Sequence, residues 1–599
     1  MDESLEEVEK LFKNQEISQE AYDNLKLWLS EGRFGDFRSE IQQLLDSNDL
    51  AALEDAFYKH IEIGTGGIRG QIGAGPNRIN LQTIGEAAQG LSNFIEDFGS
   101  EAKEKGVVVG YEARRMSVEF AKLCASVFAA NGIKTYLFDG LRSTPEISFA
   151  VRHLGATAGV QLTASHNPRT DNGFKFYWSD GGQVVPPADQ KFKELVASVT
   201  EIKKVLFSEA KSEGFIKMIG EDIDKAYLKE VRNLSLVTSR SAKIVFSPIH
   251  GAGIKNVLPV LQEENFDVMM VPEQSKPDEN FPTAVGDLIN PEYREVMELP
   301  MSYGEKNDAD VVITSDPDAD RIGIAARIKL GESKLQFLTG NEVGVIMGHF
   351  ILSRLKEKGE LKNSNLVLET YVTSTLISDI AKSFGVTVKD DLLVGFKFIG
   401  EIIEKLDNKS DFIFAAEESL GYLRGTFTRD KDAAIGALTI AEAASFLKDN
   451  GQTLIEYLDD IYKEFGYYKN ILNMAEMKGK VGFINTGRIM MGLRTNPPET
   501  LAGIPVVRIN DRLPAEKSAP DNYKTGTIGD QLTFVLSQDE RVKVTVRPSG
   551  TEPKIKYYIQ NFAKVAGDLT QIKEKIDTQA KKLEEAILTE AQKYVKDTA

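Results

Sequence analysis

The sequence predicts an α/β protein of about four domains, and three observations carry that reading. Its 599 residues exceed what one hydrophobic core supports, and roughly 150 residues per domain divides them into four. Short apolar runs that read as strands alternate with helical stretches, as at 107–110, 117–131 and 135–138. The strand-like runs 158–162, 310–313, 412–415 and 542–546 each lead into a polar loop rich in hydroxyl, carboxylate or arginine side chains.

The composition narrows the functional classes. Apolar residues make up 42% and charged residues 27%, ordinary values for a globular chain. A net charge of −18 argues against a nucleic-acid surface but leaves room for a locally basic cleft that takes small phosphorylated molecules. Cys124 is the only cysteine, which excludes an intramolecular disulfide, thiolate zinc sites and iron–sulfur clusters. The N-terminal residues carry no basic apolar signal, and no run of 18 apolar residues occurs, so a cytoplasmic protein without membrane contact is expected.

Residues 1–58 are rich in Glu, Lys, Leu and Ala, with apolar positions from Leu25 to Phe57 at three- and four-residue spacing, and read as a helical preface to the first domain. The loop Gly64-Thr65-Gly66-Gly67-Ile68-Arg69-Gly70 follows. Four glycines in seven residues let a backbone approach an anion closely, and Arg69 adds a cation. Without Lys-Ser/Thr after it, it is not a nucleotide P-loop. Further on, Gly110-Tyr-Glu112-Ala-Arg114 makes a turn between strand and helix.

The strand at 158–162 opens into Thr163-Ala164-Ser165-His166-Asn167-Pro168, then Asp171-Asn172-Gly173-Phe174-Lys175. A serine at the end of a buried strand sits on fixed backbone, and Pro168 stops regular continuation. A free hydroxyl is a poor nucleophile and needs a base or cation nearby, for which His166 and Lys175 are the local candidates. A charged stretch over 188–229 reads as a helical crossing to a second domain, where His250 reads as the cap of a turn.

The strand at 310–313 delivers Asp316, Asp318 and Asp320 at alternate positions, a hard-oxygen cage for a divalent cation. An EF-hand needs glycine at the sixth place and glutamate at the twelfth, where this sequence has Arg321 and Arg327. Mg²⁺ is the expected ion, because it suits a few carboxylates plus a phosphoryl oxygen. In the third domain, Lys397 lies between apolar residues, as a stem packed on a surface or a cation aimed into a cleft. Glu417-Glu418-Ser419 follows the strand at 412–415 and can grip adjacent hydroxyls, and Arg429-Asp430-Lys431-Asp432 comes next. Residues 440–530 include the loose segments Asn496-Pro-Pro and Asp511-Arg512-Leu-Pro and read as a linker into a last domain. There Arg547-Pro548-Ser549-Gly550-Thr551 forms an anion cradle before a helical tail from 568 to 596.

Taken together, the five loops beginning at Gly64, Thr163, Thr314, Ala416 and Arg547 resemble, in order, those of the α-D-phosphohexomutases. The resemblance implies three related α/β domains with mixed sheets and a smaller C-terminal α+β domain around a central cleft. The domain limits expected are 59–205, 206–330, 331–465 and 466–599. It implies a phosphoserine at Ser165, with Lys175, Arg69 and Lys397 completing the catalytic set, and Ser165, Asp316, Asp318 and Asp320 sharing Mg²⁺. It places Thr65, Arg69, Ser165, His166, Arg321, Glu417, Ser419, Arg547, Ser549, Gly550 and Thr551 on substrate. Glucose 1-phosphate and glucose 6-phosphate are the implied substrates, glucose 1,6-bisphosphate the intermediate, and pentose or mannose phosphates, or a catalytically silent sugar-phosphate-binding protein, the alternatives. Glu112 departs from the family's aspartate, and Tyr422 stands where dual-specificity members have histidine.

Overall fold

The computed structural model describes residues 2–64, 67–477, 479–513, 523–524, 528–549 and 554–596. Four principal sheets follow one another along the chain. The first is six-stranded, in the order Ile68–Gln71, Asp171–Trp178, Ala158–Leu162, Val107–Tyr111, Thr135–Phe138, Ile216–Ile219. Its parallel centre reads as continuous apolar sequence because helices cover both faces. All five residues of Ala158–Leu162 are buried.

A five-stranded sheet follows, in which Val311–Ser315 lies between Lys243–Ser247 and Ile322–Arg327. The third sheet centres on Leu366–Thr370 and Phe412–Glu417. The fourth is a mostly antiparallel sheet of six strands, backed by the helices Gly479–Thr495 and Leu569–Gln592. Three α/β bodies with mixed sheets and a C-terminal α+β body result, as the resemblance implies.

The apolar interiors are not equally joined. One continuous cluster runs from Phe149 and Tyr177 through Phe246 and Ile313 to Phe414 and Ile440, welding the first three bodies. Much of the fourth body packs a separate cluster that includes Leu493, Phe534, Val546 and Leu583.

Three sequence expectations change. The stretch 188–229 is not wholly helical: Ile216–Ile219 is an edge strand of the first sheet, beyond residue 205, because its apolar residues pair with Thr135–Phe138. Likewise Leu335–Leu338, beyond residue 330, pairs into the second sheet. Residues 440–530 are not a linker, since Tyr467–Glu476 is already a strand of the fourth sheet, paired along its length with Lys554–Ala563.

The helical preface forms as expected around Trp28, which stacks on Phe34 at 4.4 Å and meets the edge of Phe57. It packs on the first body through Ala74, and its helix Leu50–Phe57 also touches Gly479–Thr495 of the fourth. Among the described residues, no helix is long and apolar enough to cross a membrane.

Candidate active site

Ser165, three residues beyond the strand Ala158–Leu162, has a left-handed backbone, φ +55°, which a residue with a Cβ adopts at a cost of about 1 kcal/mol or more. Arg114 holds it there. The guanidinium donates to the carbonyls of Ser165 at 2.7 Å, Asn167 at 2.6 Å, Pro168 at 2.7 Å and Asp171 at 2.8 Å. Glu112, 2.7 Å from Arg114 Nε, also accepts the Thr163 hydroxyl, and Thr163 Oγ1 in turn accepts the Ser165 N–H at 2.7 Å. The turn at 110–114 is thus a clamp on the serine loop, and glutamate serves where the family resemblance led to aspartate.

The glycine loop presses on the same hairpin. Gly67, at φ +113°, has no room for a side chain: a Cβ would lie 2.0 Å from the Phe174 carbonyl. Arg69 then sits opposite Gly173 in the sheet.

The buried Ser165 hydroxyl donates to Asp316 Oδ2 at 3.2 Å and lies 3.2 Å from His166 Nδ1. Asp316, Asp318 and Asp320 are fully buried at the end of Val311–Ser315, with carboxylate oxygens mutually within 4.8 Å. Three like charges out of water need compensation. Lys175 Nζ supplies part of it, 2.6 Å from Asp318 and 2.9 Å from Asp320, while Lys431 Nζ lies 3.0 Å from Asp320. Thr144 donates to Asp318 at 2.6 Å.

Burial, reinforced by the neighbouring carboxylates, pushes Asp316 well above the usual range. For Asp318 the opposing effect of burial is outweighed by Lys175 and Thr144, and its carboxyl falls below that range. Oδ1 of Asp318 and Oδ1 of Asp320 have no hydrogen-bond partner among the described residues. Two orphaned anionic oxygens beside Asp316 Oδ2 and a serine hydroxyl fit a small hard cation such as Mg²⁺.

A cavity of about 550 Å³ opens beside this cluster, lined from all four bodies. His166, Glu292, Glu418, Arg547, Ser549 and Lys556 face it. Burial, and then the cations Arg321, Arg69, Lys556 and Lys431, hold the His166 imidazole well below its ordinary range, so it is neutral. Arg321 bridges two loops, donating to the Ser419 carbonyl at 3.1 Å and lying 3.6 Å from both Glu292 and Asp320. Glu417 is buried and accepts the Gly395 N–H at 2.8 Å, and burial pushes Glu418 beside it up to about 7. Arg547 sits on Lys543–Pro548 directly across the sheet from Lys556.

Lys397 is placed differently from the sequence expectation. It is buried on the helix Phe396–Lys405 with Nζ 3.3 Å from Asp189, and no contact among the described residues joins it to Ser165 or the aspartates. Lys431 takes the place beside the aspartates, and the acidic–basic run around it was the only sequence signal. Lys556 escaped notice because it lies inside a strand, although a second lysine two residues after Lys554 puts both on one face. His250 caps its turn, with Nδ1 at the Lys276 carbonyl and Nε2 at Thr283. Thr65, Gly550 and Thr551 lie outside the described residues.

Comparison with known proteins places this geometry. Models of phosphoglucomutase/phosphomannomutase α/β/α domains I, II and III match residues 60–203, 225–329 and 339–465. A phosphoglucomutase of Staphylococcus aureus is 35% identical over 521 residues, covering 86% of this chain and 92% of the relative. One from Staphylococcus haemolyticus is 32% identical over 545 residues, covering 89% and 96%. Among solved structures, the open form of parafusin, a phosphoglucomutase of Paramecium, superposes with a TM-score of 0.65 at 18% identity over 90% of this chain and 97% of that one. A Burkholderia thailandensis family protein gives 0.58 at 14%, over 86% and 96%. These two carry the fold, and the domain models and the staphylococcal relatives carry the family: the chain belongs to the phosphoglucomutase/phosphomannomutase family.

Proposed function

We propose that the chain interconverts glucose 1-phosphate and glucose 6-phosphate, with Ser165 as the phosphoryl carrier. The observation that carries this reading is the Ser165 hydroxyl, 3.2 Å from Asp316 in a buried triad in which two carboxylate oxygens accept no hydrogen bond from the described residues. Pure binding of a sugar phosphate needs neither a positioned hydroxyl nor a hard-cation cage.

In the proposed cycle a phosphoryl group on Ser165 Oγ passes to a free hydroxyl of the hexose monophosphate. The O–P bond to serine breaks as the bond to the sugar oxygen forms and the sugar hydroxyl gives up its proton to solvent in the cleft, leaving glucose 1,6-bisphosphate and a serine hydroxyl. The bisphosphate turns end for end and returns its other phosphoryl group to Ser165. Lys175 is the proton-bearing group assigned to protonate Ser165 Oγ as its phosphoryl leaves and to recover that proton on return. Mg²⁺ held by Asp316, Asp318, Asp320 and Ser165 would stabilise charge on the phosphoryl oxygens.

Glu417 and Ser419 are assigned to the ring hydroxyls, and Arg69, His166 and Arg321 to the reacting end. Arg547 and Ser549, with Lys556 from the adjoining strand, are assigned to the distal phosphate, with Thr65, Gly550 and Thr551 completing the two loops. A coupled assay for glucose 6-phosphate, run with glucose 1-phosphate and catalytic glucose 1,6-bisphosphate, tests the proposal. Turnover confined to mannose or ribose 1-phosphate would reassign the substrate, and none with any would leave a silent binder.

A further inference from the structure

A second cavity, of about 510 Å³, lies between the third and fourth bodies, away from Ser165. One wall carries Glu369, Tyr371, Asp390 and Asp391; the other carries Arg512 and Lys543. Lys543 begins the strand that bears Arg547, four residues and about 13 Å away at 3.3 Å per residue.

The rim of this cavity is electrostatically satisfied. Arg541 pairs with Asp379 at 3.0 Å, Lys382 with Asp390 at 3.3 Å, and Arg508 with Glu540. The interior is not. Lys543 is 5% exposed; its ammonium has no hydrogen bond or ion pair among the described residues and lies 3.8 Å from the centre of the Tyr371 ring. Arg512, 3% exposed, lies over the same ring at 4.8 Å and donates from Nη1 to the Asp391 carbonyl, while Nε and Nη2 have no hydrogen-bond partner among the described residues. Tyr371 itself is tied to the fourth body through Glu540 at 3.2 Å and Asn510 at 3.1 Å.

Two buried cations over one ring, with no carboxylate bonded to either among the described residues, are costly unless an anion completes them. Nearby Glu369 does not fill that role: its hydrogen bonding runs to Ser378, its Oε2 is unpartnered, and burial pushes it up to about 8. The opposite wall offers carboxylate acceptors to hydroxyl groups.

We propose that this cavity is a second ligand site, for a small phosphorylated polyol whose phosphoryl group meets Lys543 and Arg512 and whose hydroxyls meet Glu369, Asp390 and Asp391. Because the two walls belong to different bodies, such a ligand fastens the fourth body to the third. Burial lowers the Lys543 ammonium to about 8, and a bound dianion would raise it again.

Sorbitol 6-phosphate is a suitable probe, since it has no anomeric carbon to isomerise. Titration calorimetry on the full chain carrying Arg547→Ala, which weakens the distal-phosphate clamp, should still find one site per chain. Adding Lys543→Met, which keeps an apolar stem across Tyr371, should weaken that site about tenfold or more, as should Arg512→Gln. Lys543→Met alone should leave basal mutase turnover unchanged. In the Arg547→Ala chain, whose cavity is intact, the probe should also slow hydrogen exchange at 387–392 and 539–543. Loss of all binding in Arg547→Ala, unchanged binding on removal of Lys543 or Arg512, or unchanged exchange at those segments would overturn the site.

Discussion

At the Ser165 end of the cleft, one arginine ties four carbonyls of the serine loop, and two lysines compensate part of the charge of three carboxylates that water does not reach. At the Arg547 end, by contrast, Arg547 and Ser549 are half-buried on a body that largely packs its own core. The difference follows from the two tasks of the proposed cycle. The transferred phosphoryl group needs reacting atoms fixed to a fraction of an ångström, whereas the distal clamp must accept either end of a turning bisphosphate. Constraint is concentrated where bonds change.

Ser165→Ala should abolish turnover by at least on the order of a thousandfold while melting stays close to that of the parent. Near-normal turnover with glucose 1,6-bisphosphate supplied would end the carrier assignment. Asp318→Asn, or excess chelator on the parent, should cost about a hundredfold in kcat, since an anionic oxygen or the ion itself is lost. Full activity in chelator would remove the metal from the account.

Arg114→Lys tests rigidity without touching the reacting atoms. A point charge cannot hold four carbonyls, so kcat should drop roughly tenfold to a hundredfold with little change in KM, and stability by about 1–3 kcal/mol. A fall in stability with kcat intact would show that the clamp only supports the fold. Arg547→Ala should act in the opposite sense, weakening substrate binding by about 1.5–3 kcal/mol and raising KM for both sugar phosphates. Ser165 should still become phosphorylated, but at higher bisphosphate; equal KM values in parent and variant would move the clamp elsewhere. The smallest effect is expected at Lys397→Gln, within about threefold in kcat/KM, because its ammonium faces Asp189.

What could be read from sequence divides along the same line. Ser165 and the aspartates were legible because their loops are short, local and dense in one chemistry. Arg114 was visible as part of a motif, but its function depends on carbonyls more than fifty residues away, brought close only by strand pairing. Lys431 and Lys397 are both lysines among apolar and acidic neighbours, and sequence gave no means of choosing between them. The tertiary fold puts Lys431 beside Asp320 and Lys397 beside Asp189. The edge strand Ile216–Ile219 was missed because charged helices on both sides masked four residues of strand, and the third–fourth cavity exists only through the docking of two bodies.

The most direct test is the intact mass of the chain after incubation with glucose 1,6-bisphosphate and Mg²⁺, with the modified peptide then sequenced. One added phosphoryl group on Ser165, present in the parent and in Arg547→Ala at higher bisphosphate but absent from Ser165→Ala, is the predicted result. An unmodified chain that nevertheless turns over glucose 1-phosphate, or a phosphoryl group on another residue that turnover requires, would contradict it.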